Sequence, residues 1–284
     1  MKFRAKMTEL GCMKQFYNIV AMLAKLSKTC ILRICPQKIF FIISEEGGIG
    51  GKPMVWCELE QAHFFNEYTM GGFSDTHNEI YLEFPSDSLA KSLNFLKVSQ
   101  GVRSVKIKLT NKKSPCLTFE LELMSLVHSR LCVHDIPVIV IGRRQWSTIK
   151  EPQLPNFDVR IEMPNLKLVR NVVERMRTMS PHLIVSASNE GVFLLRIETD
   201  VTTVTTHFKN LAVETAQGGD QREPLDPSML ISARVDIKKL SLFLASEQVN
   251  PTQVMCDIKQ ERLLHLVLMH EDVTLHYFAP SIST

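Results

Sequence analysis

The run Gly47-Gly48-Ile49-Gly50-Gly51-Lys52 invites a phosphate-loop reading, and two residues exclude it. Such a loop needs glycine at position 46, where Glu46 stands. It also needs serine or threonine after the lysine to hold magnesium, and Pro53 stands there. The run reads instead as a hairpin loop between strands. His265, His270 and His276 crowd the last strand region, but spacings of five and six put them on different strands or faces, so no metal site is expected. His134-Asp135 lies inside a strand pattern with no paired nucleophile. Carboxylates are spread evenly, and none stands out as half of an acid–base couple. The seven cysteines, Cys12, Cys30, Cys35, Cys57, Cys116, Cys132 and Cys256, include no Cys-x-x-Cys pair and sit among apolar neighbours. They read as reduced core thiols in a reducing compartment. No catalytic residue, metal or cofactor is expected.

The chemistry that remains is electrostatic. Lys14, Asn18, Ala21, Lys25 and Lys28 fall at steps of four, three, four and three. That is one continuous helical stripe, and it lies away from the apolar face. Lys91, Asn94 and Lys97 mark the polar side of a second helix. Lys167, Arg170, Asn171, Arg175 and Arg177 make a third strongly basic, with Glu174 its acid, and Lys238 and Lys239 belong to a fourth. One lysine-rich helix face is ordinary. Four of the same sign, in a chain whose net charge is only +3, point to a basic lining suited to phosphate contact without base reading. The shortage of aromatics on these stripes argues against single-strand stacking platforms.

These stripes need a frame, and the frame repeats. Extended starts at Met1-Lys2-Phe3-Arg4-Ala5-Lys6, Glu79 to Phe84, Val159 to Met163 and Met229 to Arg234 recur roughly every 70 to 80 residues, the mark of an internal repeat. Each leads toward an amphipathic helix: Glu9 to Ser27, a second opening at Pro85, a third from Pro164 to about Met179, and a fourth from Asp236 to Ser246. Alternating strands follow. They are predicted at Thr29 to Cys35, Lys38 to Ile43, Met54 to Glu60, Ser104 to Thr110, Cys116 to Leu123 and Leu131 to Ile141 in the first half. The second half gives His182 to Ser188, Val192 to Glu198, Val201 to Phe208 and three final strands. Gly142 to Phe157 shows no clear period and reads as a linker; Ala212 to Pro227 reads as a mobile loop. The expected architecture is α+β: one domain over residues 1–141, a linker over 142–157, and a second similar domain over 158–284. Each half lays one helix pair across one side of antiparallel sheet. No run approaches the length of a membrane span.

This arrangement resembles a sliding clamp of the PCNA type, and the ending Tyr277-Phe278-Ala279-Pro280 is similar to that family's ending. Other segments resemble the Hus branch of the heterotrimeric DNA-damage checkpoint clamp. They are Met1 to Lys6, Trp56 to Gln61, Phe64 to Tyr68, Lys106 to Lys112, Pro115 to Thr118, Val133 to Val138, His207 to Leu211, Val249 to Thr252 and His270 to Phe278. The resemblance implies a nuclear, non-enzymatic ring subunit that joins two paralogous clamp subunits and is loaded by an ATP-driven clamp loader. It would encircle duplex DNA without sequence specificity and serve checkpoint and repair proteins, with no membrane role.

On this pattern the DNA-facing residues are Lys14, Lys25, Lys28, Lys91, Lys97, Lys167, Arg170, Arg177, Lys238 and Lys239. Assembly would use the edge strands at Leu131 to Ile141, where Pro137 suits an edge, and at Val201 to Phe208. A partner pocket would be closed by Trp146 and Ile149 of the linker over Ile43, Tyr277, Ala279 and Pro280. The competing readings are a protein-binding adaptor with incidental DNA contact, and Trp146 as a simple pin for the linker.

Overall fold

The computed structural model describes residues 1–44, 53–74, 76–98, 101–124, 130–214, 226–245 and 249–283. Residues 47–52 and most of 212–227 lie outside them, so the hairpin and loop expected there are not described. The chain divides into two compact units, Met1–Ser44 with Trp56–Lys150, and Glu45–Val55 with Glu151–Thr284.

The first unit runs β1 (Lys2–Met7), α1 (Leu10–Leu26), β2 (Thr29–Ile34), β3 (Lys38–Ile43), β4 (Met54–Glu60), α2 (Gln61–Phe64), β5 (Glu67–Gly71), β6 (Ile80–Pro85), α3 (Ser86–Ser92), α4 (Phe95–Val98), β7 (Val102–Asn111), β8 (Pro115–Leu123), β9 (Arg130–Pro137), β10 (Ile139–Val140) and α5 (Arg143–Trp146). Its strands lie in the orders β5-β1-β7-β8-β9 and β10-β6-β2-β3-β4. The second unit runs β11 (Val159–Glu162), α6 (Leu166–Met176), β12 (His182–Ser188), β13 (Val192–Glu198), β14 (Thr203–Phe208), β15 (Ile231–Asp236), α7 (Ile237–Leu244), β16 (Gln253–Lys259), β17 (Leu263–His270) and β18 (Val273–Pro280). Its orders are β11-β16-β17-β18 and β15-β12-β13-β14.

The repeat is therefore topological as well as sequential. The order β1-β7-β8-β9 matches β11-β16-β17-β18, and β6-β2-β3-β4 matches β15-β12-β13-β14. Even β5 has a counterpart, because Val213 forms a bridge to Ile161 on the corresponding edge of β11. All four extended starts become strands that lead into helices.

Alternation explains the strands. β1 buries Phe3, Ala5 and Met7 and exposes Lys2 and Arg4, as a strand with one wet face must. The helices close each core. In α1, Cys12, Met13, Phe16, Ile19, Val20, Met22 and Leu23 are buried, and the Phe16 ring meets Phe41 at 5.8 Å and Phe65 at 6.2 Å. Burying a ring of this kind stabilises the fold by about 1.5–3 kcal/mol. In the second unit α6 turns Leu166, Val169, Val173 and Met176 inward, and α7 adds Ile237, Leu240, Phe243 and Leu244. Both helices start at a side-chain cap: Asn165 accepts from the Lys167 N–H at 2.9 Å and Asp236 from the Lys239 N–H at 3.0 Å.

Three expectations change. The helix after Pro85 breaks into α3 and α4 at Leu93-Asn94, where Ser92 and Asn94 favour turn over helix interior. The strand expected over Leu131 to Ile141 is two. Pairing with β8 runs to Pro137 opposite Cys116, and Val138 still donates to the carbonyl of Pro115, where β8 begins; β10 then pairs with β6 instead. The linker contains one helical turn, α5. Among the described residues no helix is long and apolar enough to cross a membrane.

Candidate functional site: a basic helix surface, two open edges and the linker side

The apolar stripes that bury α1, α3, α6 and α7 leave the basic stripes outward. Lys14, Lys25, Lys28, Lys91, Lys97, Lys167, Arg177 and Lys238 are exposed, and Arg170 and Lys239 are half-buried. Each unit carries its own pair: α1 packs with α3 and α4, and α6 packs with α7. Lys28 lies just past the end of α1, and Arg177 just past α6, where its guanidinium pairs with Glu174 at 2.8 Å. Lys25 sits in the last turn of α1, where the helix dipole favours a cation. The lysines in this set form no ion pair among the described residues, so their charge is available to an outside anion.

Two strands end their sheets with an open side. Among the described residues β9 pairs only with β8, and β14 only with β13. β9 exposes two apolar side chains, Leu131 at 62% and Val133 at 49%, between the exposed Arg130, Asp135 and Pro137. By the pairing with β8, Leu131 and Val133 share the face of Glu122 and Glu120, while Cys132 and His134 share the face of Leu121 and Phe119. His134 also meets the exposed Phe95 ring at 6.1 Å. β14 offers Thr203, Thr205 and His207 outward. Val201, expected in that strand, lies instead in the turn before it and is 93% exposed.

The residues expected to form a pocket fall in both units. Ile43 is buried at the end of β3. Trp146 lies 4.7 Å from the Tyr81 ring, and its Nε1 donates to the Ile141 carbonyl at 3.0 Å. Tyr81 is itself ordered by Arg33, whose guanidinium lies 5.6 Å from that ring and 4.9 Å from Phe40 and pairs with Glu79 at 2.8 Å. Ile149 and Pro280 are half-buried. Tyr277 and Ala279 are buried, and Tyr277 stacks on Phe243 of α7 at 4.6 Å. Burial there pushes the phenol well above its ordinary pKa. Along β18 the alternation thus turns Tyr277 and Ala279 to the helix side, and His276, Phe278 and Pro280 to the other.

That other face holds an arrangement the histidine spacing did not reveal. His265 and His276 were expected on different strands or faces; they occupy different strands and the same face. The two-residue turn at Glu271-Asp272 pairs His265 with Phe278, and so brings His276 diagonally beside His265. The Nε2 of His265 lies 3.0 Å from the Nδ1 of His276, and its Nδ1 lies 3.0 Å from Asp257 Oδ2. Arg160 of β11 stands 3.5 Å beyond, on the other carboxylate oxygen, and is held by Glu214 at 2.9 Å. Phe157, at the end of the linker stretch, stacks on His265 at 5.3 Å. The signal was present in the spacing of eleven between the two histidines, but it needs the turn position to be read. His270 lies outside the cluster, and no group able to hold a metal is found among the described residues.

The thiols form no disulfide among the described residues; Cys12, Cys30, Cys57, Cys116 and Cys256 are buried, and Cys35 and Cys132 half-buried. Burial pushes Cys30 up to about 12 and Cys35 to about 11, which keeps both protonated and unreactive.

The model of the family described as Hus1-like protein matches residues 1–283. The chain belongs to the Hus1-like family. It is 46% identical to the human checkpoint protein HUS1, covering all of both chains. It is 30% identical to the Drosophila melanogaster checkpoint protein Hus1-like over 99% of each, and 27% identical to the Schizosaccharomyces pombe checkpoint protein hus1 over 90% of this chain and 88% of that one. Among solved structures it is similar to the proliferating cellular nuclear antigen of Entamoeba histolytica, with a TM-score of 0.72 over 99% of each chain at 13% identity. The fold is thus the α+β fold of PCNA-like sliding clamps. The segments that first suggested the Hus1-like family lie on its frame: Met1 to Lys6 on β1, Lys106 to Lys112 on and just past β7, Val133 to Val138 on and just past β9, and His270 to Phe278 on the turn into β18 and that strand.

Proposed function

We propose that this chain is a subunit of a DNA-damage checkpoint clamp, one of three different subunits that close a ring around duplex DNA. The observation that carries the reading is the pairing of basic helix surfaces with open sheet edges on a PCNA-like frame. The outward lysines meet phosphate by charge alone and read no bases, as a sliding contact requires. β9 and β14 join the neighbouring subunits by strand addition, in which backbone groups left open at an edge find partners in another chain. The two edges differ in chemistry, one with leucine and valine exposed between charges and one hydroxyl-rich, which suits two different neighbours better than copies of one chain.

In this reading the chain is non-enzymatic and acts in the nucleus. A separate clamp loader supplies the energy of loading, and checkpoint and repair proteins dock on the ring, with the linker side of the second unit as their uptake surface. The linker is pinned by Trp146 on Tyr81 at one end and Phe157 on His265 at the other. The test is mass by light scattering, with the chain alone and mixed with the two other subunits of the checkpoint clamp. A one-to-one-to-one complex is expected. A folded chain that stays outside that complex would favour the adaptor reading instead.

A further inference from the structure

The wet face of the sheet β5-β1-β7-β8-β9 gathers cations on two adjoining strands. Lys2, Arg4 and Lys6 project from β1 on this face, and Lys106 and Lys108 from β7 beside it, while Phe3, Ala5, Met7, Val105 and Ile107 turn to the core. The register sets like charges directly against each other: Arg4 stands opposite Lys108, and Lys6 opposite Lys106. Opposed side chains have their Cβ atoms about 4.5–5.5 Å apart, and like charges at that distance are destabilising. Stability alone would alternate the signs across the strands, as happens between β7 and β8, where Lys106 stands opposite Glu120.

Part of this charge is neutralised within the chain. Lys6 pairs with Glu67 at 3.3 Å, and Lys108 with Glu120 at 2.8 Å. Lys2, Arg4 and Lys106 form no ion pair among the described residues, and Lys2 and Arg4 are exposed. The cationic zone is also narrow. Neighbouring strands lie about 4.7–4.9 Å apart, so two of them make a thin strip. Carboxylates border it on both sides: Glu67 on β5, and Glu120 and Glu122 on β8. Along β1 the cations recur at every second residue, about 6.6 Å apart at a rise of about 3.3 Å per residue.

We propose that this face docks an acidic peptide segment of a partner protein, laid extended along β1 with a carboxylate at every second residue. An extended chain repeats its side chains on one face at the spacing of β1 itself, so successive carboxylates meet Lys2, Arg4 and Lys6, with Lys106 beside the last of them. Anions placed between Arg4 and Lys108, and between Lys6 and Lys106, cancel the repulsion built into the register. Duplex DNA fits this strip less well. Its two backbones are separated by grooves of about 6 and 12 Å, so phosphates set on β1 and β7 bring the other backbone toward the bordering carboxylates. A single nucleic-acid strand would need aromatic platforms, and the rings of Phe3 and Phe119 turn to the core. The face shares no residue with the basic helix stripes and does not depend on the ring reading.

The test is fluorescence anisotropy of a short labelled peptide alternating serine with glutamate, titrated with the full chain at low salt. Saturable binding that weakens as salt rises is expected. A peptide of the same composition with its glutamates in one block should bind several-fold more weakly, because only alternate side chains reach the cations. Arg4→Thr together with Lys106→Thr should weaken binding of the alternating peptide about tenfold. Threonine is favoured in strands and the exchange removes both like-charge pairs, so the melting temperature of this variant should hold or rise. Lys14→Ala with Lys167→Ala, on the helices, should leave peptide binding unchanged. Absence of binding, equal binding of the two peptides, or undiminished binding by the strand variant would overturn the proposal. So would a duplex oligonucleotide that displaces the peptide and itself loses binding in the strand variant, which would assign the face to DNA. Because the chain is tested alone, failure here leaves the ring reading intact, and failure to assemble leaves the peptide result standing.

Discussion

A lysine on a solvated helix face has little to do within its own chain, whereas a buried imidazole chain must be solved atom by atom. The two kinds of residue answer different questions about this molecule. The exposed lysines carry charge outward and contribute little to stability, since exposed charges are well screened. Arg160, Asp257, His265 and His276 do the reverse. Asp257, His265 and His276 are hydrogen-bonded in series, and Arg160 is held by ion pairs to Asp257 and Glu214. His276 also makes stability depend on pH. Its ordinary pKa of 6.5 is held down to about 4 in the folded chain by burial first and by His265 second. Between those values the unfolded imidazole binds a proton that the folded one refuses, so stability is full above about pH 6.5 and falls as pH drops toward 4. His276→Gln should flatten this part of the profile, by on the order of 1–2 kcal/mol for a half-buried ring. Chemical denaturation at several pH values reads it; identical slopes in both proteins would remove His276 as the cause.

At the scale of elements, the open strands carry the sharpest consequence. β9 exposes Leu131 and Val133 beside an unpaired backbone edge, a combination that monomeric proteins normally blunt with charge. Leu131→Lys and Val133→Lys supply that charge. Because both side chains are already exposed, thermal stability should move by no more than about 0.5 kcal/mol. Assembly through this edge should fall at least tenfold, measured by co-purification with the other clamp subunits. Unimpaired assembly would take β9 out of the interface. The edge ends where its partner strand begins: Val138 donates to the Pro115 carbonyl at 3.0 Å, and the next two residues serve a different sheet. Pro137, with Val138 bonded to β8, turns its missing N–H to the open side, where an edge strand tolerates it.

At the scale of the whole molecule, the near-balance of 33 basic and 30 acidic residues means that any hold on DNA is a matter of placement. The acids are spent largely on sheets: Glu120 on Lys108 at 2.8 Å, Glu67 on Lys6 at 3.3 Å, Asp158 on Lys259 at 2.5 Å. The helix lysines are left over. In the assembled ring, replacing Lys14, Lys91, Lys167 and Lys238 by Ala together should lower the salt dependence of DNA retention by about three to four in the slope of log K against log salt. Complex mass should not change. A slope equal to that of the unmodified ring would place these lysines away from phosphate.

How much of this was legible beforehand follows from what sets each feature. Helix stripes and strand alternation depend on residues a few positions apart, so the four strand-to-helix starts and the basic stripes could be read from the chain in order. Caps are equally local, and Asp236 stands at the start expected for the last helix. β5 was missed because Glu67-Tyr68-Thr69-Met70-Gly71 is too short and too exposed to stand out without its partner β1. The side of β18 that faces the linker was missed for a related reason. Alternation says that Tyr277 and His276 point opposite ways, but only the packing of Phe243 says which of them is inside. The Asp257–His265–His276 chain needs three strands in register at once, with a turn and an edge placed to within one residue. A slip of one position would send every side chain to the opposite face, so pairing across strands belongs to the folded molecule and not to the order of residues along it.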